Sequence, residues 1–280
     1  MKIALIGYGR MGHEIERQAI QRGHEIVARI DIDNRADLHS DAFRSADVAI
    51  EFTAPTAAFD NCLEALEEKV PVVSGSTGWL ERLPELAEYC RLHPGSAMLQ
   101  STNFSIGMNI FMRLNRELAR LTRPFTGYTP RLEETHHIHK LDHPSGTAIT
   151  LAEGLISERP DLKSWTLTDL TEPSGGGESQ SESRKESQAE SRKESQSESR
   201  KTKHLADAGA DSLPIASIRR GEVPGIHTIE WDSEADSITI THSAHSRSGF
   251  ALGAVMAAEW LPANPGFRTM AEFMDFLFKN

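Results

Sequence analysis

Lys2-Ile3-Ala4-Leu5-Ile6-Gly7-Tyr8-Gly9-Arg10-Met11-Gly12 opens the chain and decides the fold of its first part. Five residues read as a short apolar strand, and a G-x-G-x-x-G turn follows directly and leads into a helix. The glycines permit a tight turn and a close approach of backbone to a pyrophosphate, while the helix N-terminus offers free N–H groups and its positive dipole end. The second strand ends at Asp31, nineteen residues past Gly12, where a carboxylate would accept hydrogen bonds from adenosine ribose hydroxyls. Such a carboxylate repels a 2′-phosphate, so the pattern leans towards NADH over NADPH. Arg29 and Arg35 lie close enough in sequence to soften that preference. A glycine turn that serves only helix–sheet packing is the other reading of these residues.

The alternation continues for a hundred residues. Glu25–Ile30, Val48–Phe52, Val70–Ser74 and Ala97–Gln100 are short apolar runs. Met11–Arg22, Thr56–Lys69 and Leu80–Arg91 carry charges between spaced apolar residues, as amphipathic helices do. This predicts an α/β fold, a Rossmann-type parallel sheet covered by helices. Ligands sit at the carboxyl ends of such strands. Phe52-Thr53-Ala54-Pro55, Gly75-Ser76-Thr77-Gly78 and Ser101-Thr102-Asn103-Phe104-Ser105 all fall there, with small and hydroxyl residues that let a cofactor pass close to the backbone.

Ile110–Leu121 is one more helical pattern, and then the rhythm changes. Arg131–Lys140 is polar and His-rich, Thr147–Glu158 reads as a helix, and Leu213–Arg219, Gly225–Trp231 and Ser237–His242 alternate like half-buried strands of a second, open sheet. Phe250–Trp260 and Thr269–Phe278 return to helix. A second domain between about Met108 and Arg247 is the simplest division.

Composition narrows the function classes. The chain has 280 residues, 30 Lys+Arg against 41 Asp+Glu and a formal charge of −11. Residues 174–203 hold one apolar side chain, Ala189, beside seven basic and six acidic residues. Without that block, 23 Lys+Arg face 35 Asp+Glu, and the apolar fraction rises to roughly 42%, ordinary for a globular protein. Negative charge argues against non-specific nucleic-acid binding. No run of 18 apolar residues exists to span a membrane, and the N-terminus does not read as a secretory signal. Cys62 and Cys90 form no C-x-x-C pair, so a reducing cytoplasm is the expected setting. The polar block repeats with an eight-residue period (SESRKESQ, AESRKESQ, SESRKTKH) and has no apolar face to stack. It reads as a disordered surface insert, because it cannot bury enough surface to offset ordering entropy.

The second informative run is Glu134-Thr135-His136-His137-Ile138-His139-Lys140-Leu141-Asp142-His143-Pro144-Ser145-Gly146-Thr147. Four histidines in eight residues suggest a metal, but on a strand His136 and His137 face opposite sides and no second Cys/His cluster is visible; no metal is expected. An imidazole beside a lysine suits general acid chemistry. Ser145-Gly146-Thr147 opens a helix, an anion site of N–H groups and hydroxyls. A polar surface strand with solvated histidines remains the bland alternative.

The run from Glu134 to Ala148, E-x-H-H-x-H-K-x-D-x-P-S-G-T-A, closely resembles the signature of the 4-hydroxy-tetrahydrodipicolinate reductase (dihydrodipicolinate reductase) family of the diaminopimelate–lysine pathway. The resemblance extends to Gly9–Gly12, Glu51-Phe52-Thr53 with Pro55, Gly75–Gly78, Asn103-Phe104-Ser105 with Gly107 and Asn109, Gly221–Thr228 and Ser246–Ala251, nearly the whole chain outside the polar block. It implies a dinucleotide-binding domain from residues 1–107 and 247–280. It also implies a central α+β domain, 108–246, with an open mixed sheet that binds substrate and builds a homotetramer. The implied reaction is hydride transfer from NADH or NADPH to a cyclic imine dicarboxylate. By the same resemblance His136 is the acid/base group and Lys140 the proton donor, while His137, Ser145, Gly146 and Thr147 hold the substrate carboxylates. Gly7, Gly9, Arg10, Met11, Gly12, Asp31, Thr53, Gly75, Ser76, Thr77, Ser101, Thr102, Asn103 and Phe104 match cofactor positions. Three departures stand out: Ser76 replaces the usual Thr, Ile138 a common basic residue, and Asp31-Ile32 a frequent Glu-Arg. The last removes a 2′-phosphate partner and reinforces the lean towards NADH.

Replacing residues 174–203 by a short Gly/Ser linker is expected to leave turnover and melting temperature nearly unchanged. A large loss of either would show that the repeat orders or sits on an interface.

Overall fold

The computed structural model describes residues 1–171, 203–204 and 209–279. The polar block expected as an insert at 174–203 lies outside the described residues except for its last position, which joins a short strand. Two compact units form, Met1–Phe111 with Ser246–Asn280, and Met112–His245.

The first unit is a six-stranded parallel sheet with helices on both faces. Its strands are β1 (Lys2–Ile6), β2 (Glu25–Ile30), β3 (Val48–Glu51), β4 (Val72–Ser74), β5 (Ala97–Gln100) and β12 (Gly266–Thr269), in the order β12-β5-β4-β3-β1-β2. Between them run α1 (Arg10–Gln21), the single turn α2 (Asp41–Arg44), α3 (Pro55–Glu67) and α4 (Leu83–Leu92), and later α7 (Ser248–Trp260) and α8 (Met270–Lys279). Strands buried on both sides need apolar residues at every position, and β1 shows why. Ile3 and Leu5 join the core beneath α1, α7 and α8, while Ala4 and Ile6 join the opposite core beneath α3 and α4.

Differences from the expected elements have local causes. Leu80–Arg91 is not one helix: a 3₁₀ turn at Leu80–Arg82 precedes α4. Pro84 lacks an N–H and crowds the preceding turn, so it can only stand in a first helical turn. β4 starts at Val72, after Pro71, for the same want of a donor. β12 was not anticipated, since Gly-Phe-Arg-Thr is too short to show a period; it pairs with β5 across some 170 residues of chain.

The second unit is a mixed sheet. Its strands are β6 (Thr129–His136), β7 (Ser164–Thr171), β8 (Lys203–His204), β9 (Ser212–Arg219), β10 (Ile226–Asp232) and β11 (Ser237–Ser243), in the order β11-β10-β6-β9-β7-β8. β9 runs parallel to β6 and β7, while β10 is antiparallel to both β6 and β11. The helix α5 (Ile106–Thr122) starts a turn earlier than expected, and α6 (Gly146–Ile156) follows β6. β6 alternates strictly, with Pro130, Leu132, Glu134 and His136 buried. Its buried face is therefore apolar at one end and ionisable at the other. Among the described residues no helix is long and apolar enough to cross a membrane.

α7 carries Gly253 against the Phe104 carbonyl, where a Cβ would overlap the oxygen. An open helical Gly→Ala change stabilises by up to about 1 kcal/mol, but overpacking against fixed backbone costs about 1–3 kcal/mol. Gly253→Ala is expected to lower Tm by roughly 2–4 °C in a thermal melt. A rise would show that α7 can move away.

Candidate active site

The glycine turn sits at the carboxyl end of β1. Gly7 has φ +93°, and its N–H donates to the Ile30 carbonyl at 2.8 Å. A Cβ on Gly7 would overlap the Phe52 carbonyl, and one on Gly12 would overlap the Gly7 carbonyl. Gly9 is different: it is the N-cap of α1, no side chain caps the helix, and a Cβ there would meet nothing within 4 Å. The first turn carries no acidic side chain. That arrangement fits a dinucleotide pyrophosphate. Arg10 is exposed and Met11 half-buried.

Below this turn lies a residue the sequence reading quoted without assigning it a role. Glu51, fully buried at the end of β3, accepts hydrogen bonds from Ser74 Oγ (2.5 Å), Ser76 Oγ (2.7 Å), Thr53 N (2.8 Å) and Thr53 Oγ1 (2.5 Å). The hydroxyls of Thr53 and Ser76 are therefore turned inward, and these residues shape the loops at the carboxyl ends of β3 and β4. Gly75 is required because the Phe52 ring lies where its Cβ would be, and Thr77 is exposed. Ser101 Oγ accepts from Asn103 N at 3.1 Å, Thr102 is exposed, and the Phe104 ring is buried in the core. Asp31 is exposed at the end of β2 and accepts from Ile32 N at 2.9 Å.

In the second unit the register of three strands builds the site. Glu134 on β6 stands opposite Ser217 of β9 and His227 of β10, and His136 stands opposite Arg219. The Glu134 side chain has no exposure. Oε2 bonds His136 Nδ1, while Oε1 takes Ser217 Oγ at 2.5 Å, Arg219 Nη1 at 3.0 Å and the Ser145 N–H at 3.3 Å. Burial alone would raise the Glu134 carboxyl; the hydrogen bonds from His136 and Ser217, with the charges of His136 and Arg219, overcome it and hold the group at about 2. The His136 and His227 rings meet edge-on with centroids 5.1 Å apart. Burial, then the charge of His136, pushes His227 down to about 3, so it is neutral.

Beyond β6, Lys140 Nζ lies 2.8 Å from Asp142 Oδ1. Arg219 donates from Nε to the Lys140 carbonyl at 3.1 Å and from Nη2 to the Asp142 carbonyl. Ser145 caps α6 by accepting from Ala148 N at 3.2 Å. Its hydroxyl is used, and the Asp142 carboxylate accepts from the Gly146 N–H at the same helix end. A Cβ on Gly146 would meet nothing within 4 Å. His137, half-buried, has a buried Nδ1 that no described residue bonds.

Glu134, His136 and His227 bring ligating atoms within 4.8 Å of one another, a constellation not visible in the sequence because His227 lies 91 positions after His136. Its chemistry suits a proton better than a metal. Both oxygens of Glu134 are engaged, and the Arg219 guanidinium would repel a cation held there. Of the residues missed, Glu134 carried a readable signal, its place two residues before His136 on one strand face. Ser217, Arg219 and His227 carried none, since strand register brings them in.

Comparison with known proteins gives two family matches. Residues 1–104 match the dihydrodipicolinate reductase N-terminus and residues 107–274 its C-terminus. A 4-hydroxy-tetrahydrodipicolinate reductase of Christiangramia forsetii is 40% identical over an alignment of 281 residues that spans 100% of both chains. One of Archaeoglobus fulgidus is 31% identical, covering 98% of this chain and 100% of its own. The solved dipicolinate-bound dihydrodipicolinate reductase of Paenisporosarcina sp. TG-14 shares the fold with a TM-score of 0.66 at 22% identity, covering 96% of this chain and 97% of that one.

The two shifts set the sign of the acid response. Glu134 is held below its usual 4.5, so its contribution is present above 4.5 and lost as pH falls towards 2. His227 is held below 6.5, so the unfolded chain takes its proton first and stability falls as pH drops from 6.5 towards 3. Tm is expected to decline steadily below pH 6.5, and His227→Gln to flatten the part between pH 6.5 and 4.5. Identical pH–Tm curves would contradict the assignment.

Proposed function

The chain belongs to the dihydrodipicolinate reductase family, and from that premise we propose that its two units divide one reduction between them. The family's reduction step in lysine and diaminopimelate biosynthesis, with NAD(P)H, is the activity of this chain. The first unit holds the cofactor at the Gly7–Gly12 turn and the loops at Thr53, Gly75–Thr77 and Ser101–Phe104, with Asp31 on the ribose. Bound there, a reduced nicotinamide supplies the hydride. The second unit holds the cyclic imine dicarboxylate and supplies the proton.

The observation that carries the reading is the buried Glu134–His136 pair beside the loop of Lys140 and the N-terminus of α6. Dicarboxylate binding falls to the N-terminus of α6 at Gly146 and Thr147, where substrate competes with Asp142 for the Gly146 N–H, and to the half-buried His137. Cations facing both carboxylates stabilise the ground state and the charge that develops on reduction. His136 gives and recovers the proton, and Lys140 Nζ is the second donor, freed from Asp142 when substrate charge competes for it. The positive field is local in a chain whose net charge is −11.

A preference for NADH follows from the charges around β2. Arg29 is engaged by Glu16, and Arg35 by Glu64 at 2.5 Å and Asn61 at 3.1 Å. A 2′-phosphate would have to win these guanidinium groups from carboxylates while facing Asp31. The same reading places the enzyme in the cytoplasm as a homotetramer, which light scattering would report as four chain masses.

His136→Gln and Lys140→Ala are each expected to lower kcat by on the order of 10²-fold while NADH still binds in a fluorescence titration. Full turnover of Lys140→Ala in a coupled assay with freshly made substrate would refute the assigned roles. Steady-state kinetics should give kcat/KM for NADH equal to or above that for NADPH; strong NADPH selectivity would sink the ribose argument.

A further inference from the structure

Glu134 is fully buried, and its carboxylate reaches the proposed proton-transfer machinery directly at His136 and through Arg219 at the loop of Lys140. It holds His136 through Nδ1, the N-cap of α6 through the Ser145 N–H, and Arg219 through Nη1. Arg219, itself buried, bonds the carbonyls of Lys140 and Asp142 and so fixes the loop on which Lys140 stands. The other ring nitrogen of His136, Nε2, lies against Gly225, where a Cβ would approach within 3.0 Å. Gly225 has φ +152°, so a side chain is unfavourable there on both counts.

We propose that Glu134 is the positioning residue of the proton transfer: it keeps the Nδ1 proton on His136, leaves Nε2 as the nitrogen that exchanges a proton with substrate, and through Arg219 sets the loop of Lys140. This rests on the reading of His136 as the acid/base group. In the step itself the N–H bond at Nε2 breaks and the proton passes to the substrate that has received hydride. The ring returns to its neutral Nδ1–H form, and solvent restores the Nε2 proton. The carboxylate stays ionised throughout. The charged and titratable groups around the ring are Glu134 on its own strand, Arg219 from β9, His227 from β10, and Lys140 with Asp142 on the following loop.

Glu134→Gln is therefore expected to lower kcat at pH 8 by about tenfold or more, to leave substrate KM within about threefold, and to alter the kcat–pH profile. Glu134→Asp should recover part of the profile. A buried Arg219 without its partner can also unfold the unit, so a second measurement uses the unaltered protein. Solid-state ¹⁵N NMR of histidine-labelled enzyme, with the His136 signals assigned by their loss in His136→Gln, should show the neutral ring protonated at Nδ1. An Nε2–H tautomer, or a folded Glu134→Gln enzyme with an unmoved profile, overturns the positioning role. Retention of kcat in His136→Gln instead overturns the acid/base reading on which it rests.

Discussion

A carboxylate with no exposure beside a guanidinium almost as deeply buried is the interaction on which the second unit depends. Glu134 and Arg219 sit where the buried face of the mixed sheet turns from apolar to ionisable, and neither charge has water to fall back on. Such a pair holds only when the remaining lone pairs and protons are also satisfied. Here they are: Glu134 takes four donors, and Arg219 shares Nη1 with the Ile218 carbonyl and spends Nε and Nη2 on the carbonyls of Lys140 and Asp142. The pair ties one strand end, one loop and one helix N-terminus into a single arrangement.

The first unit uses the same device with a different outcome. Glu51 is also a buried carboxylate at a strand end, but hydroxyls and one backbone N–H satisfy it, with no countercharge in the cluster. It joins the ends of β3 and β4 and shapes two loops at the carboxyl edge of the sheet, while the hydroxyls that look available in the sequence are consumed. Thr53 and Ser76 show what composition leaves open: a hydroxyl at a strand end serves whichever acceptor is nearest, and here that is the buried Glu51 carboxylate.

Legibility followed the range of the interaction. β1 and its glycine turn were readable because a strand buried on both faces must be apolar throughout and a turn at φ +93° needs glycine. The His136–Lys140 run was readable because its members lie close in sequence. β12 was not, because four residues carry no period, and neither was β7, whose Ser-Trp-Thr-Leu-Thr-Asp run becomes a strand through pairing with β9.

The sequence by itself determined the parallel-sheet architecture, the glycine turn, the position of the acid at the end of β2, and the histidine–lysine run. Each depends on local backbone preference or on periodic burial, which neighbouring residues encode. Only the tertiary structure decided what those groups are bonded to. The positions of Ser217, Arg219 and His227 around Glu134 come from the register of β9 and β10 on β6, and a shift of one residue would turn all of them to the other face. The states of Glu134 and His227 are set by burial and by partners that include residues 83 to 93 positions away, and no local stretch of chain can encode those.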